Sequence, residues 1–173
     1  MSRRAHTLDI ASSPHIRAGH SVDRIMFNVV LALLPLVALA VWAFGLAALL
    51  GIAVATLSCV LAEHLLCRLA GKPSTVGDWS VTITGLLYGL TLPPGLALWM
   101  VAVGGFVGVA MAKFLFGGLG YNAFNPALVA RAFLQAAFPT AMTTWTAAFA
   151  PDRFGALPAS VLTAPFMRPA TDA

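Results

Sequence analysis

The sequence predicts an all-α integral membrane protein, on three observations. Of its 173 residues 60% are apolar and 9% charged, and the mean hydropathy is +0.88, far outside the balance of a soluble domain. Four apolar runs, Ile25 to Phe44, Leu46 to Leu66, Leu96 to Phe116 and Ala127 to Phe149, reach the roughly 20 residues that a helix needs to cross a bilayer. The basic residues stand at the ends of these runs and form no patch. The net charge of +4 and pI near 9.7 therefore read as topology determinants beside lipid, with no nucleic-acid partner.

Residues 1–24 lack the apolar core of a cleavable signal and read as a cytoplasmic leader, the first long helix acting as an uncleaved anchor. The leader carries His15 and His20 around Arg17, and Ser13-Pro14 suits a short helix start. It is either a docking surface for a cytoplasmic partner or anionic group, or a solvated basic segment. The first run, 25–44, contains Pro35, which removes a backbone hydrogen bond and predicts a bend. The second, 46–66, leads into Glu63, His64 and Arg68. Glu63 and His64 could relay protons, but their place near the helix end favours snorkelling to the interface. Cys59 and Cys67, on that same helix, are about 12 Å apart along its axis and cannot bridge each other.

A shorter segment follows, Val81 to Leu92, entered through Gly77-Asp78-Trp79-Ser80 and closed by Pro93-Pro94-Gly95. As a helix it reaches about 18 Å against a hydrocarbon core of about 30 Å, so it is a tilted span near 76–93 or a re-entrant half-helix. The basic residues divide too similarly under the two topologies for charge to decide. In the run 96–116, Gly104, Gly108 and Ala112 recur every fourth residue, a small-residue stripe for close helix contact. The run 127–149 carries Arg131, Gln135 and, past Pro139, Thr140, Thr143 and Thr144. Residues 150–173, with four prolines, read as an aqueous tail, and its close at Ala173, without a cap, looks interrupted.

The stretch Gly117 to Phe133 departs most from generic membrane sequence. Gly117, Gly118 and Gly120 let the backbone turn sharply and approach a flat ligand. Asn125-Pro126 reads as an N-cap followed by the first helical residue. Arg131 lies one turn or so inside that helix, where the positive end of the dipole disfavours a cation unless an anion or acceptor answers it. That suits a phosphate, carboxylate or carbonyl-rich ligand; the bland readings are a well-made membrane turn and an arginine that snorkels to headgroups.

Together, Ser12-Ser-Pro-His-Ile-Arg-Ala-Gly-His-Ser21, Thr91-Leu-Pro-Pro94, Lys113-Phe-Leu-Phe-Gly-Gly-Leu-Gly-Tyr-Asn-Ala-Phe-Asn-Pro-Ala-Leu-Val-Ala-Arg-Ala-Phe133 and Met142-Thr-Thr-Trp145 resemble the RnfD component of the Rnf electron-transport complex. The NqrB component of the sodium-pumping NADH:quinone reductase shares the glycine and Asn-x-x-Asn-Pro pattern. The resemblance implies a membrane flavoprotein subunit of a complex that passes electrons between ferredoxin and NAD while moving sodium ions or protons. Its partners would be the other Rnf subunits and the lipid bilayer of a bacterial inner membrane, with the N-terminus cytoplasmic and residues 150–173 outside. It also implies a urea- or ammonium-channel-like fold of about ten transmembrane helices in two inverted halves, of which this sequence supplies about the first five. Those helices would lie near 25–44, 46–66, 76–93, 96–116 and 127–149.

The family also carries FMN joined to a threonine in a Ser-Gly-Ala-Thr motif. That motif does not occur in this sequence, and Thr171 does not match it. A second, non-covalent flavin, riboflavin among the candidates, is implied beside Asn122 and Asn125, whose amides can donate to and accept from the ring edge. The expected cofactor site is thus Gly117, Gly118, Gly120, Asn122, Asn125 and Arg131, with no catalytic side chain and no metal ligand. The rival expectation is a solute channel or transporter of the urea or ammonium type, in which the same stretch lines a pore.

Overall fold

The computed structural model describes residues 21–72, 76–116 and 121–165. Among them all regular structure is helical: α1 Val22–Phe44, α2 Leu46–Leu69, α3 Ser80–Leu90, α4 Leu98–Val109, α5 Pro126–Ala137 and α6 Pro139–Thr143. Short 3-10 turns lie at Val76–Asp78 and Ala159–Leu162, and α4 runs on into a π-helical segment, Ala110–Phe114.

The first two helices follow from local chemistry. Ser21 caps α1 by accepting the amide of Arg24 at 3.3 Å, and Asp23 sits in the first turn, where the dipole favours a negative charge. The helix continues through Pro35 and ends at Gly45, whose φ of +70° favours glycine. Because α2 begins at Leu46, one residue makes the reversal. These two helices are long and apolar enough to cross a membrane. Most of the large apolar side chains of α1, Leu31, Leu34, Leu39 and Trp42 among them, remain exposed, as a lipid-facing helix requires.

α2 is the axis of the bundle. α3 runs antiparallel to it, with Gly85 against Thr56 and Gly89 against Ile52, while α4 runs parallel, with Gly105 against Ser58 and Cys59. α5 returns antiparallel to α4, placing Ala130 on Gly108 and Leu134 on Gly104. The stripe Gly104, Gly108 and Ala112 is therefore a close-contact face, and a Cβ at Gly108 would stand 2.5 Å from that of Ala130. Tyr88, fully buried beside Gly104, donates its hydroxyl to the Val101 carbonyl at 2.9 Å. Cys59 and Cys67 are both buried and free. A Cβ on Gly85 would lie 2.5 Å from the Thr56 Cα, a backbone atom that cannot swing aside. Gly85→Leu is expected to cost about 3 kcal/mol through forced separation of α2 and α3, read as a lower melting temperature of the full-length protein in detergent.

One expectation is corrected. The run from Ala127 to Phe149 is not one helix. α5 stops at Ala137, because Pro139 offers no N–H and forces Phe138 out of helical geometry, to φ −135° and ψ 59°. α6 is a single turn, and no further α-helix follows among the described residues. The short segment expected near 76–93 is present, as an eleven-residue helix from Ser80 to Leu90 preceded by the 3-10 turn. The tail, most of whose described residues are exposed, is tied to the bundle as far as Ser160. Phe149 donates its amide to Ala43 at 2.7 Å, the carbonyl of Arg153 accepts from Leu46 at 2.9 Å, and Ser160 Oγ donates to Gly95 at 2.7 Å. One end of the bundle thus collects Gly45, Gly95 and this strap, and the opposite end collects the starts of α1, α3 and α5.

Candidate functional site

Two neighbourhoods at the second of these ends carry polar chemistry. The first is the expected one. Gly117, Gly118 and Gly120 lie outside the described residues, as do His15, Arg17 and His20 of the leader. Asn125 is exposed and caps α5, its Oδ1 accepting the Ala127 amide at 2.9 Å, with Pro126 in the first helical position. Asn122 is half-buried. Its Oδ1 is the one fully covered side-chain oxygen among the described residues without a hydrogen-bond partner. Such an acceptor costs about 1–3 kcal/mol if nothing fills it, and a ring N–H is the kind of group that would. Tyr121 and Phe124 stand exposed beside it and could cover a flat ring. Arg131 is not gathered with the asparagines. Its Nη1 donates to the Thr91 carbonyl at the C-terminus of α3, so the acceptor that answers this cation is the chain's own backbone.

The second neighbourhood is an ion pair that sequence reasoning missed. Glu63 on α2 and Lys113 in the π-helical segment are each 3% exposed, and Lys113 Nζ donates to Glu63 Oε1 at 2.8 Å and Oε2 at 2.7 Å. Its third hydrogen goes to Ser80 Oγ at 2.7 Å, and Ser80 in turn donates to Asp78 Oδ1 at 2.5 Å. Snorkelling of Glu63 to the interface is thereby corrected: of the two neighbours, His64 alone faces outward. The reason is geometric. Glu63 lies on the α2 face that also buries Ala55, Cys59 and Cys67, whereas His64, about 100° further round, falls on the exposed face. The π segment, closed by Leu115 N–H to the Ala110 carbonyl at 3.2 Å, inserts one residue into the turn that carries Lys113. One signal was available: a Glu and a Lys each embedded in an apolar run are costly alone and call for each other.

Residues 9–171 match the family model described as NQR2, RnfD, RnfE. The chain belongs to the NQR2, RnfD, RnfE family. Over 137 residues it is 48% identical to the D subunit of the Na(+)-translocating ferredoxin:NAD(+) oxidoreductase complex of Acetobacterium woodii, covering 79% of this chain and 43% of that protein. It is 44% identical over 137 residues to the D subunit of the proton-translocating ferredoxin:NAD(+) oxidoreductase complex of Clostridium ljungdahlii, covering 79% and 41%. The D subunit of the ion-translocating oxidoreductase complex of Escherichia coli is 41% identical over 138 residues, covering 79% and 39%. The chain thus spans about two fifths of the length of these curated relatives. Membership of the family places the asparagine loop and the buried ion pair in a protein whose relatives are named for moving ions.

Proposed function

We propose that this chain is part of the membrane-embedded RnfD component of an Rnf-type ferredoxin:NAD oxidoreductase, passing electrons through flavin while sodium ions or protons move. The observation that carries the reading is the match of residues 9–171 to the family, together with the 44–48% identity over 79% of the chain to relatives named as components of such complexes. The membrane setting is supported by the two long apolar helices with their exposed aliphatic faces. Arg24, Arg68 and Lys72 belong to the end where α1 starts, and Arg153 to the other, which suits a cytoplasmic N-terminus in a bacterial inner membrane. α3 joins the two ends and so acts as a short crossing, giving about five passes with α5.

Asn122 and Asn125, with the glycines before them, are the proposed holders of a non-covalent flavin, FMN or riboflavin. When bound, the flavin supplies the electron transfer; the chain's own part is to orient it and keep water away. Asn122 offers its unpaired oxygen, while Asn125 mainly fixes the start of α5. Arg131 holds the end of α3 and is a positioning residue for the loop's helix. Covalent FMN has no Ser-Gly-Ala-Thr in this chain to receive it. The Glu63–Lys113 pair is the proposed element that couples to the ion, because a charge pair at depth in an apolar bundle is costly and is kept where it acts on an ion.

The assembled complex tests this directly. Purified complex containing Asn122→Leu together with Asn125→Ser, which preserves an N-cap, should lose a non-covalent flavin from its visible absorbance. Full retention would remove the assignment of the site. A wild-type complex with no flavin absorbance, or one in which this chain passes urea or ammonium unaided, would favour a channel and overturn the functional reading.

A further inference from the structure

We propose that Asp78 and Ser80 form the outer steps of a proton route into the buried Glu63–Lys113 pair. The proposal rests on the ion-coupled reading above. Hydrogen-bond chemistry fixes the direction of the chain. An ammonium only donates, so the hydroxyl oxygen of Ser80 must accept from Lys113 Nζ at 2.7 Å. The proton of that hydroxyl goes to Asp78 Oδ1 at 2.5 Å, which also takes the Ser80 amide at 2.9 Å. The chain runs from a buried ammonium, through one hydroxyl, to a half-exposed carboxylate.

The step balances without any further reactant. The Ser80 O–H bond breaks as its proton joins Asp78 Oδ1, and a Lys113 N–H bond breaks as that proton joins Ser80 Oγ. Asp78 becomes a neutral carboxylic acid and Lys113 a neutral amine, with no change in total charge and no oxidation. Asp78 then releases its proton to water at the near end. The return runs in reverse, the neutral amine accepting from Ser80. In the intermediate state the Glu63 carboxylate no longer faces an ammonium charge, which invites a proton or a monovalent cation in place of the lysine's charge.

The surroundings hold the chain in place. Trp79, between the two relay residues, has φ +63°, a left-handed conformation that a bulky residue adopts only under constraint, and its ring packs on Phe27 of α1 with centroids 5.2 Å apart. That turn is what lets the amide and hydroxyl of Ser80 meet the same Asp78 oxygen. Among the described residues, the other charged groups on the elements packed around the pair are exposed or held by partners of their own. His64 and Arg68 on α2 are exposed, as are Asp23 and Arg24 at the start of α1. Lys72 lies over the Phe114 ring at 5.3 Å, and Arg131 on α5 is held by Thr91.

The test uses the assembled complex in proteoliposomes, reading ion uptake per electron across a pH series, with flavin content as a check on assembly. Asp78→Asn keeps both acceptor bonds but cannot take a proton, and Ser80→Ala removes the relay hydroxyl. Each is expected to lower coupled uptake about tenfold or more and to change its pH profile, and Ser80→Thr to restore both. Uptake and pH profile unchanged in Asp78→Asn would overturn the route, as would a loss in Ser80→Ala that Ser80→Thr fails to restore, since Ser80 would then be packing alone. Should Ser80→Ala fail to assemble, Asp78→Asn at its half-exposed position decides by itself. A wild-type complex that moves no ion sinks the functional reading and the route together; wild-type pumping with an indifferent Asp78→Asn sinks the route alone.

Discussion

Lys113→Ala is expected to be the most damaging single change among the polar residues. It removes the ammonium that pairs with the Glu63 carboxylate at 2.7 Å, and leaves that acid in a position only 3% exposed. Breaking a buried pair on one side costs about 3–5 kcal/mol, a large share of the roughly 5–15 kcal/mol that holds a domain together. The full-length protein should therefore melt much earlier in detergent, or fail to accumulate in the membrane. The informative partner is the double variant Glu63→Leu with Lys113→Met. It replaces two charges by apolar groups of similar reach, while Ser80 keeps its own bond to Asp78. Stability should return to near that of the parent, because such exchanges are neutral or favourable. Coupled ion movement should not return. A double variant that is stable and still couples would show the pair to be scaffolding, and the ion-coupling role proposed for it would fall.

The buried pair also marks where local sequence signals run out. α1 and α2 are legible because each is one unbroken apolar run of about the length a bilayer needs, while the Ser21 cap and the Gly45 turn that set their ends emerge only in the structure. Asn125 is legible as a cap because its bond to Ala127 spans two residues, within the reach of local chemistry. What escapes is long-range, or a contest between signals. Glu63 and Lys113 are fifty residues apart, and nothing in either run says which helices pack side by side, or that they do so in parallel. The position of Arg131 shows that it needs an acceptor, but the acceptor is a backbone carbonyl forty residues away. In the last run, composition argues for one helix and Pro139 for a break. The proline prevails because its missing N–H is a covalent fact, while Trp145 and Phe149 beyond it stay half-exposed and meet rings of α1 instead. Phe149 lies edge-on to Trp42 at 5.0 Å and Trp145 meets Phe44 at 6.3 Å, so the strap satisfies them at the end of α1 without forming a span.

That strap gives the second large effect, at Gly45. Two separate demands meet in this residue. Its φ is +70°, and a Cβ built there would run into the carbonyl of Arg153, the same carbonyl that accepts the first amide of α2 from Leu46 at 2.9 Å. Arg153 is itself held by Nε donating to the Trp42 carbonyl at 3.0 Å and Nη1 to that of Ala150 at 3.1 Å, with its guanidinium over Phe154 at 5.0 Å. The strap therefore cannot slide aside without losing several bonds at once. Gly71 provides the comparison, with φ +64° and nothing within 4 Å of a Cβ. Gly71→Ala should cost only the left-handed backbone, about 1–2 kcal/mol. Gly45→Ala should add the clash and the lost α2 amide bond, bringing the total to about 3–5 kcal/mol. Melting temperatures of the two full-length variants in the same detergent measure the difference. Protease cutting near Arg153 should increase in Gly45→Ala alone, since only there is the strap displaced. Equal losses in the two variants, with the strap still protected, would mean that the tail does not hold the α1–α2 reversal and that the turn is set by glycine's backbone freedom alone.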